Sequence, residues 1–349
     1  MKLLLVTPLQ KQANGGIAVW TDMFLAACSD ADIEPTVVNI AMTGRRLENG
    51  SAKRSLFDEI IRTRRIFRDL KSKLKGERFD AVHINSSCGK FGIVRDYLLA
   101  KKIKKKQSDA RIVLQYHCDV PAQIRGKRAR GALAKLTGIA DENLVLCTTS
   151  GDYLKENFDV ESRLVPNFID ERYILTEKKE IREHVARAFF VGRVQHQKGA
   201  PEIYELARRF PNIEFRLAGA VSAAISELET PENLTLLGPL SHDDVIGEMR
   251  EADVFIFPSH TEGFSVALLE AMASGLPAIA TDVGANRDML SGIIDTVGVG
   301  EVDRMAEVLS ELDSAEARER ISAQLTARVT ECYSLSSVVK RLREIYNER

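Results

Sequence analysis

The chain of 349 residues holds few cysteines: Cys28, Cys88, Cys118, Cys147 and Cys332, an odd count with no CxxC pair. That excludes a disulfide framework and a zinc site of the usual spacing, and a reducing cytosol is the simplest compartment to infer. No apolar run approaches the roughly 20 residues of a membrane span. The opening MKLLLVTPL is too short for a signal sequence and runs into Gln10, Lys11 and Gln12 instead of a small-residue cleavage site. It reads as a first buried strand. The dinucleotide fingerprint GxGxxG is missing. Net charge is also nearly absent, at −1.

That near-neutral total conceals an asymmetry. Residues 1–166 carry 29 Lys plus Arg against 19 Asp plus Glu, and the remainder carries 20 against 31. Basic residues cluster in Arg62–Arg78, Lys101–Lys106 and Arg125–Lys135. Any one cluster reads equally well as a solvated helix face. Three in one half favour docking on an anionic surface, either membrane or acceptor. Few aromatics interleave with them and no nucleic-acid motif accompanies them, which argues against nucleic acid as a partner.

Short apolar runs alternate with helical patterns in both halves. In the first half the runs are Leu3–Val6, Thr36–Ile40, Ala81–Ile84, Ile112–Gln115 and Leu144–Cys147. In the second they are Ala188–Val191, Glu214–Ala218, Leu234–Leu237, Val254–Phe257, Ala278–Ala280 and Ile293–Val297. This rhythm predicts α/β structure, with two doubly wound Rossmann-like domains facing an interdomain cleft. The expected boundaries are 1–166 for the first domain, 167–184 for a linker and 185–335 for the second domain. A final helix over 336–349 either caps the second domain or packs back on the first. Ligands of such sheets bind beyond the C-terminal strand ends.

Several side chains are expected at those ends. Gly15 and Gly16 follow the first strand, where a glycine pair serves either a tight turn or close approach to a phosphate. Arg193 and Lys198 lie between Gly192 and Gly199, and two cations there could neutralise a diphosphate. After Val254–Phe257, Glu262 sits in a turn while Glu270 lies about five residues into a helix that starts near Ser265, roughly 7 Å along its axis. Two acceptors so spaced could hold opposite ends of an elongated ligand, with free helix N–H groups between them. His117 ends a strand beside Asp119, and position alone does not separate catalysis from packing. Asp30 and Asp32 have the spacing of a metal-binding pair. They fall on the opposite edge of the sheet, so they read as a solvated turn.

Together these residues resemble glycosyltransferase family 4, the retaining nucleotide-sugar transferases of GT-B architecture. The resemblance covers nearly the whole chain. Its most specific parts are FVGRVQHQKG, with Arg193 and Lys198, and EGFSVALLE, with Glu262 and Glu270; Gly15-Gly16, His117 and VPNFID agree with them. It implies that Arg193 and Lys198 clamp the donor diphosphate, with the Gly15-Gly16 turn against it and the Gly16 amide helping. It further implies that Glu270 binds ribose, that Glu262 and the backbone of Gly263, Phe264 and Ser265 contact the transferred sugar, and that His117 lies near the anomeric region. Gly238 to Leu240 would flank the base. Phe168 stands where the family often has glycine, and Arg193 to Gln197 separates Gly192 from Lys198 with an unusual run of polar groups. The implied activity is metal-independent hexosyl transfer from a UDP-sugar, or next a GDP-sugar, to a glycan or lipid-linked acceptor of surface polysaccharide or glycolipid. A GT-B epimerase or phosphorylase, or a non-catalytic cytosolic sugar-nucleotide-binding protein, stays open as an alternative. The expected location is cytoplasmic, with peripheral contact at the inner membrane face.

Overall fold

The apolar runs form strands because they are hidden on both faces, which leaves no polar alternation to preserve. In the computed structural model, which describes residues 1–9, 16–41, 56–89 and 91–348, Leu3, Leu4, Leu5 and Val6 of β1 (Lys2–Thr7) are fully buried. The other strands of the first sheet are β2 (Glu34–Asn39), β3 (Ala81–Ser86), β4 (Arg111–Tyr116), β5 (Glu142–Val145) and β6 (Arg163–Leu164). Their order is β2-β1-β3-β4-β5-β6, and every pairing is parallel. The second sheet contains β7 (Arg187–Val191), β8 (Glu214–Ala218), β9 (Leu234–Gly238), β10 (Val254–Phe257) and β11 (Ala278–Ala280). Its order is β11-β10-β7-β8-β9, again parallel throughout.

Parallel neighbours require crossovers, and helices supply them. In the first sheet these include α1 (Gly16–Ala27), α2 (Leu56–Gly76) and α3 (Gly92–Lys106). Contacts divide the chain into two compact units, Met1–Asn167 with Leu335–Arg349, and Phe168–Ser334. Within the first unit the helix Leu335–Asn347 packs on α1 and buries Val338, Val339, Leu342, Ile345 and Tyr346. Such burial contributes about 1.5–3 kcal/mol for each large aliphatic side chain. The Tyr346 hydroxyl lies 2.5 Å from His83 Nδ1 in β3, and Arg343 pairs with Asp32 at 3.0 Å. Asp30 and Asp32 occupy a turn before β2, and Asp32 has a φ of 51°. Among the described residues no helix is long and apolar enough to cross a membrane.

One expected strand does not form. Residues 293–297 make turns, with the Ile293 and Ile294 N–H groups both bonded to the Leu290 carbonyl, and only Val297 bridges to Thr281. Exposed Asp295 interrupts the run and Gly292, at φ 73°, turns the chain before it, so this apolar segment has no continuous face to bury. Conversely, β6 has two residues and no pattern that a sequence reading could register.

Both sheet orders contain a topological switch point, where successive connections leave in opposite directions and open a crevice at the C-terminal strand ends. In the first unit it lies between β1 and β3. In the second it lies between β7 and β10.

Candidate functional site

The second unit's switch point gathers Arg193, Lys198 and Glu262, because the first two follow β7 and the third follows β10. Glycine makes their approach possible. Gly199 has a φ of 74°, and a Cβ there would stand 2.7 Å from the Pro258 carbonyl carbon and closer still to its oxygen. Only a residue without a side chain lets the two loops lie against each other. The Gln197 carbonyl accepts from the His260 N–H at 3.0 Å, and His260 Nε2 meets Glu202 Oε1 at 2.6 Å. Lys198 Nζ then reaches Glu262 Oε1 at 2.5 Å. Arg193 is exposed and carries no ion pair among the described residues, so the loops present one uncompensated cation beside a neutralised pair.

The loop carrying Glu262 is held from behind. Gly284, at φ 56°, abuts it so closely that a Cβ would lie 2.5 Å from the Glu262 carbonyl oxygen. Ala285 donates its N–H to the Gly263 carbonyl at 3.1 Å. The Ser265 hydroxyl donates to Asn286 Oδ1 at 2.5 Å, while Asn286 Nδ2 donates to the Thr281 carbonyl at 2.9 Å. Ser265 is also the residue before the helix Val266–Ala273, and with its hydroxyl turned to Asn286 it makes no cap. The first-turn N–H groups, which have no carbonyl within the helix to bond, are left for an anionic ligand.

Glu270 lies on that helix, one turn in from its start. Its Oε1 meets His242 Nε2 at 2.9 Å, and the hydrogen bond to Glu270 raises the His242 pKa above its ordinary 6.5. Tyr173 sets its ring edge-on to His242 at 4.5 Å, and the Arg172 guanidinium covers the Tyr173 ring at 4.6 Å. His242 starts a helix two residues after half-buried Leu240, so the turn after β9 and Glu270 share one neighbourhood. Phe264 packs against Tyr333 at 6.2 Å between ring centres. His242, Tyr173, Asn286 and Gly284 escaped the sequence reading. His242 follows a serine and precedes two aspartates, which reads as an ordinary helix start.

The first unit places His117 just after β4, half-buried. Its Nε2 lies 2.9 Å from Asn85 Oδ1, and the Trp20 ring stands edge-on to it at 5.2 Å. Burial, reinforced by His83, lowers its pKa to about 3, so the imidazole is neutral at physiological pH. Asn167 is nearby, and its Oδ1 is buried without a partner. Burial also raises the Asp119 carboxyl, whose Oδ1 likewise has no partner. Gly16 opens α1 with clear space around the position of a Cβ. Gly15 lies outside the described residues. The structure thus groups Arg193, Lys198, Glu262, Gly263, Ser265 and Glu270 in one unit and holds His117 and Gly16 in the other.

Comparison with known proteins fits this division. Residues 14–173 match the family described as Glycosyltransferase Family 4, and residues 172–322 match Glycosyl transferases group 1. A D-inositol 3-phosphate glycosyltransferase of Mycolicibacterium gilvum is 34% identical over 144 residues, a stretch that spans 36% of this chain and 32% of that protein. Among solved structures, a sucrose-phosphate synthase from Thermosynechococcus elongatus superposes with a TM-score of 0.76 at 15% identity, covering 99% of this chain and 98% of that one. HepE of Anabaena, solved with UDP, gives a TM-score of 0.73 at 12% identity, covering 99% of both chains. Another structure of HepE holds UDP-glucose. These neighbours have the GT-B fold, and at such identities the likeness concerns the fold alone.

Proposed function

The chain belongs to glycosyltransferase family 4, and from that membership we propose that it moves a hexose from a UDP-sugar to a glycan or lipid-linked acceptor with retention at the anomeric carbon. The observation that carries this reading is the Lys198–Glu262 pair at 2.5 Å, beside uncompensated Arg193 and an uncapped helix start. In the reaction the bond between the anomeric carbon and the diphosphate breaks, a bond from that carbon to an acceptor hydroxyl oxygen forms, and the hydroxyl proton passes to an oxygen of the departing diphosphate. Negative charge then develops on the departing diphosphate. Arg193, Lys198 and the first-turn N–H groups of Val266–Ala273 are donors suited to that charge without metal.

The Lys198–Glu262 pair keeps both groups oriented before the donor arrives. A donor diphosphate competes for Lys198, which frees Glu262 to accept from a hydroxyl of the transferred sugar. Glu270, steadied by His242, is assigned to the ribose hydroxyls, and the turn through Leu240 to the base. His117 and Glu262 are both assigned to the sugar, with neither required to transfer a proton. The UDP and UDP-glucose complexes of HepE support the choice of donor. A thermal-shift screen of UDP, GDP and ADP sugars tests it, because a ligand at 100 times its Kd stabilises the folded state by about 2.7 kcal/mol. Stabilisation by UDP-sugars is expected; no shift with any nucleotide sugar would overturn the reading.

The first unit supports a further part of this proposal, contact with an anionic membrane that carries the acceptor. Exposed Phe91, Val94, Leu98, Lys101 and Lys105 line the start and one face of α3, and Ile61, Arg64, Arg68, Lys71 and Lys75 line one face of α2. Both stripes begin apolar and continue basic, the pattern of a surface that inserts one end and pairs the rest with lipid phosphates. Other members of the basic clusters serve inside the fold. Arg62 and Arg65 donate to the carbonyls of Ile40 and Ala41, Lys73 to that of Val37, and Lys104 pairs with Asp141.

A further inference from the structure

The polar groups at the first unit's switch point form a chain whose direction follows from its end. The Thr21 hydroxyl donates to the Ile17 carbonyl at 2.8 Å, and a backbone carbonyl can only accept. Its single hydrogen is therefore spent. The 2.6 Å contact between Thr21 and Thr7 must then use the hydrogen of Thr7. With its own hydrogen committed, Thr7 Oγ1 receives Asn85 Nδ2 at 3.0 Å. That turns Asn85 Oδ1, an acceptor, toward His117 Nε2 at 2.9 Å. Thr7, Thr21 and Asn85 are all buried, so solvent offers no alternative partner.

We infer that Asn85, Thr7 and Thr21 are positioning residues forming a one-way relay, anchored on the Ile17 carbonyl, which keeps the imidazole hydrogen of His117 on Nε2. The other nitrogen, Nδ1, is then an acceptor only. Whatever meets it must bring a hydrogen, as a hydroxyl of the sugar substrate does. A phosphate oxygen is excluded, and so is proton donation by the neutral ring from Nδ1. The sugar assignment rests on the proposed function, whereas the tautomer does not.

The test is nitrogen NMR of protein labelled at the imidazole nitrogens of its six histidines, with the His117 signals identified by their loss in His117→Gln. Wild type should show a protonated, pyrrole-type Nε2 and a bare, pyridine-type Nδ1. Thr21→Val keeps the shape but removes the anchoring hydroxyl, so both shifts should move toward the average of the two tautomers, and kcat should fall about tenfold if one hydrogen bond's worth of orientation is lost. Thr21→Ser should restore both readouts. A hydrogen on Nδ1 in wild type, or unchanged nitrogen shifts in folded Thr21→Val, would overturn the relay. If Thr21→Val does not fold, the wild-type spectrum still decides. Protein with the expected shifts but no turnover on any nucleotide sugar would leave the relay standing and count against the proposed function.

Discussion

Substituting Gly199 with alanine perturbs the candidate site through backbone geometry alone. An alanine at φ 74° costs about 1–2 kcal/mol for the left-handed conformation. Its Cβ would also press on the Pro258 carbonyl, and forced overpacking of this kind adds about 1–3 kcal/mol. Gly300 supplies the control: its φ is 79°, yet a Cβ there meets nothing within 4 Å. Gly300→Ala should therefore show the conformational cost without the clash. The second unit should melt lower in Gly199→Ala than in Gly300→Ala, by on the order of 2–10 °C for a difference of about 1–3 kcal/mol. The clash also has a functional consequence, since it separates the loop of Lys198 from that of Glu262. A displacement near 1 Å costs about 10²-fold in rate at a site that depends on positioning. Paired thermal melts and UDP-release rates with a UDP-sugar and acceptor make the comparison. Equal melting temperatures and equal turnover in the two variants would refute the claim that Gly199 holds these loops together.

Lys198→Ala should lower kcat about 10²–10³-fold by removing one donor to the developing diphosphate charge; wild-type turnover in a folded variant would take Lys198 out of the site. His242 gives a pH signature. Its folded pKa is raised by Glu270, so its contribution to stability is fully present below its ordinary 6.5 and fades as pH rises through the higher folded value. The melting-temperature gap between wild type and His242→Gln should thus shrink from pH 6 toward alkaline pH; a gap that widens would contradict the pairing. Liposomes of acidic lipid should retain the protein at low salt and release it at high salt. Lys101→Ala with Lys105→Ala should weaken that retention about thirtyfold, at about 1 kcal/mol per charge. Equal recovery on neutral and acidic liposomes would remove the membrane from the account.

The strands were legible where a run is buried on both faces, as in Val254–Phe257 and Ala278–Ala280. At Ile293–Val297 composition misled, because apolar content without a partner strand makes a turn with one bridge. The acidic residues were legible by their place after β10, and Glu270 falls on the helix as expected. What could not be read was who meets whom. Lys198 and Glu262 are 64 residues apart, and their contact depends on β7 lying beside β10, an order that no local pattern encodes. The support of Glu270 by His242 depends in the same way on two elements packing side by side. For His117, the strand-end position could be read, but its neutral state and hydrogen-bond partner follow from burial among Trp20, His83 and Asn85.

The central claim is that the second unit measures a nucleotide sugar from ribose to hexose, with Glu270 at one end and Glu262 at the other. Titration calorimetry of UDP and of a UDP-sugar against wild type, Glu262→Ala and Glu270→Ala tests it most directly. Glu270→Ala should weaken both ligands alike, whereas Glu262→Ala should weaken the UDP-sugar and leave UDP nearly unchanged. Loss of UDP binding in Glu262→Ala equal to that of the UDP-sugar, or unchanged binding of both ligands in Glu270→Ala, would contradict it.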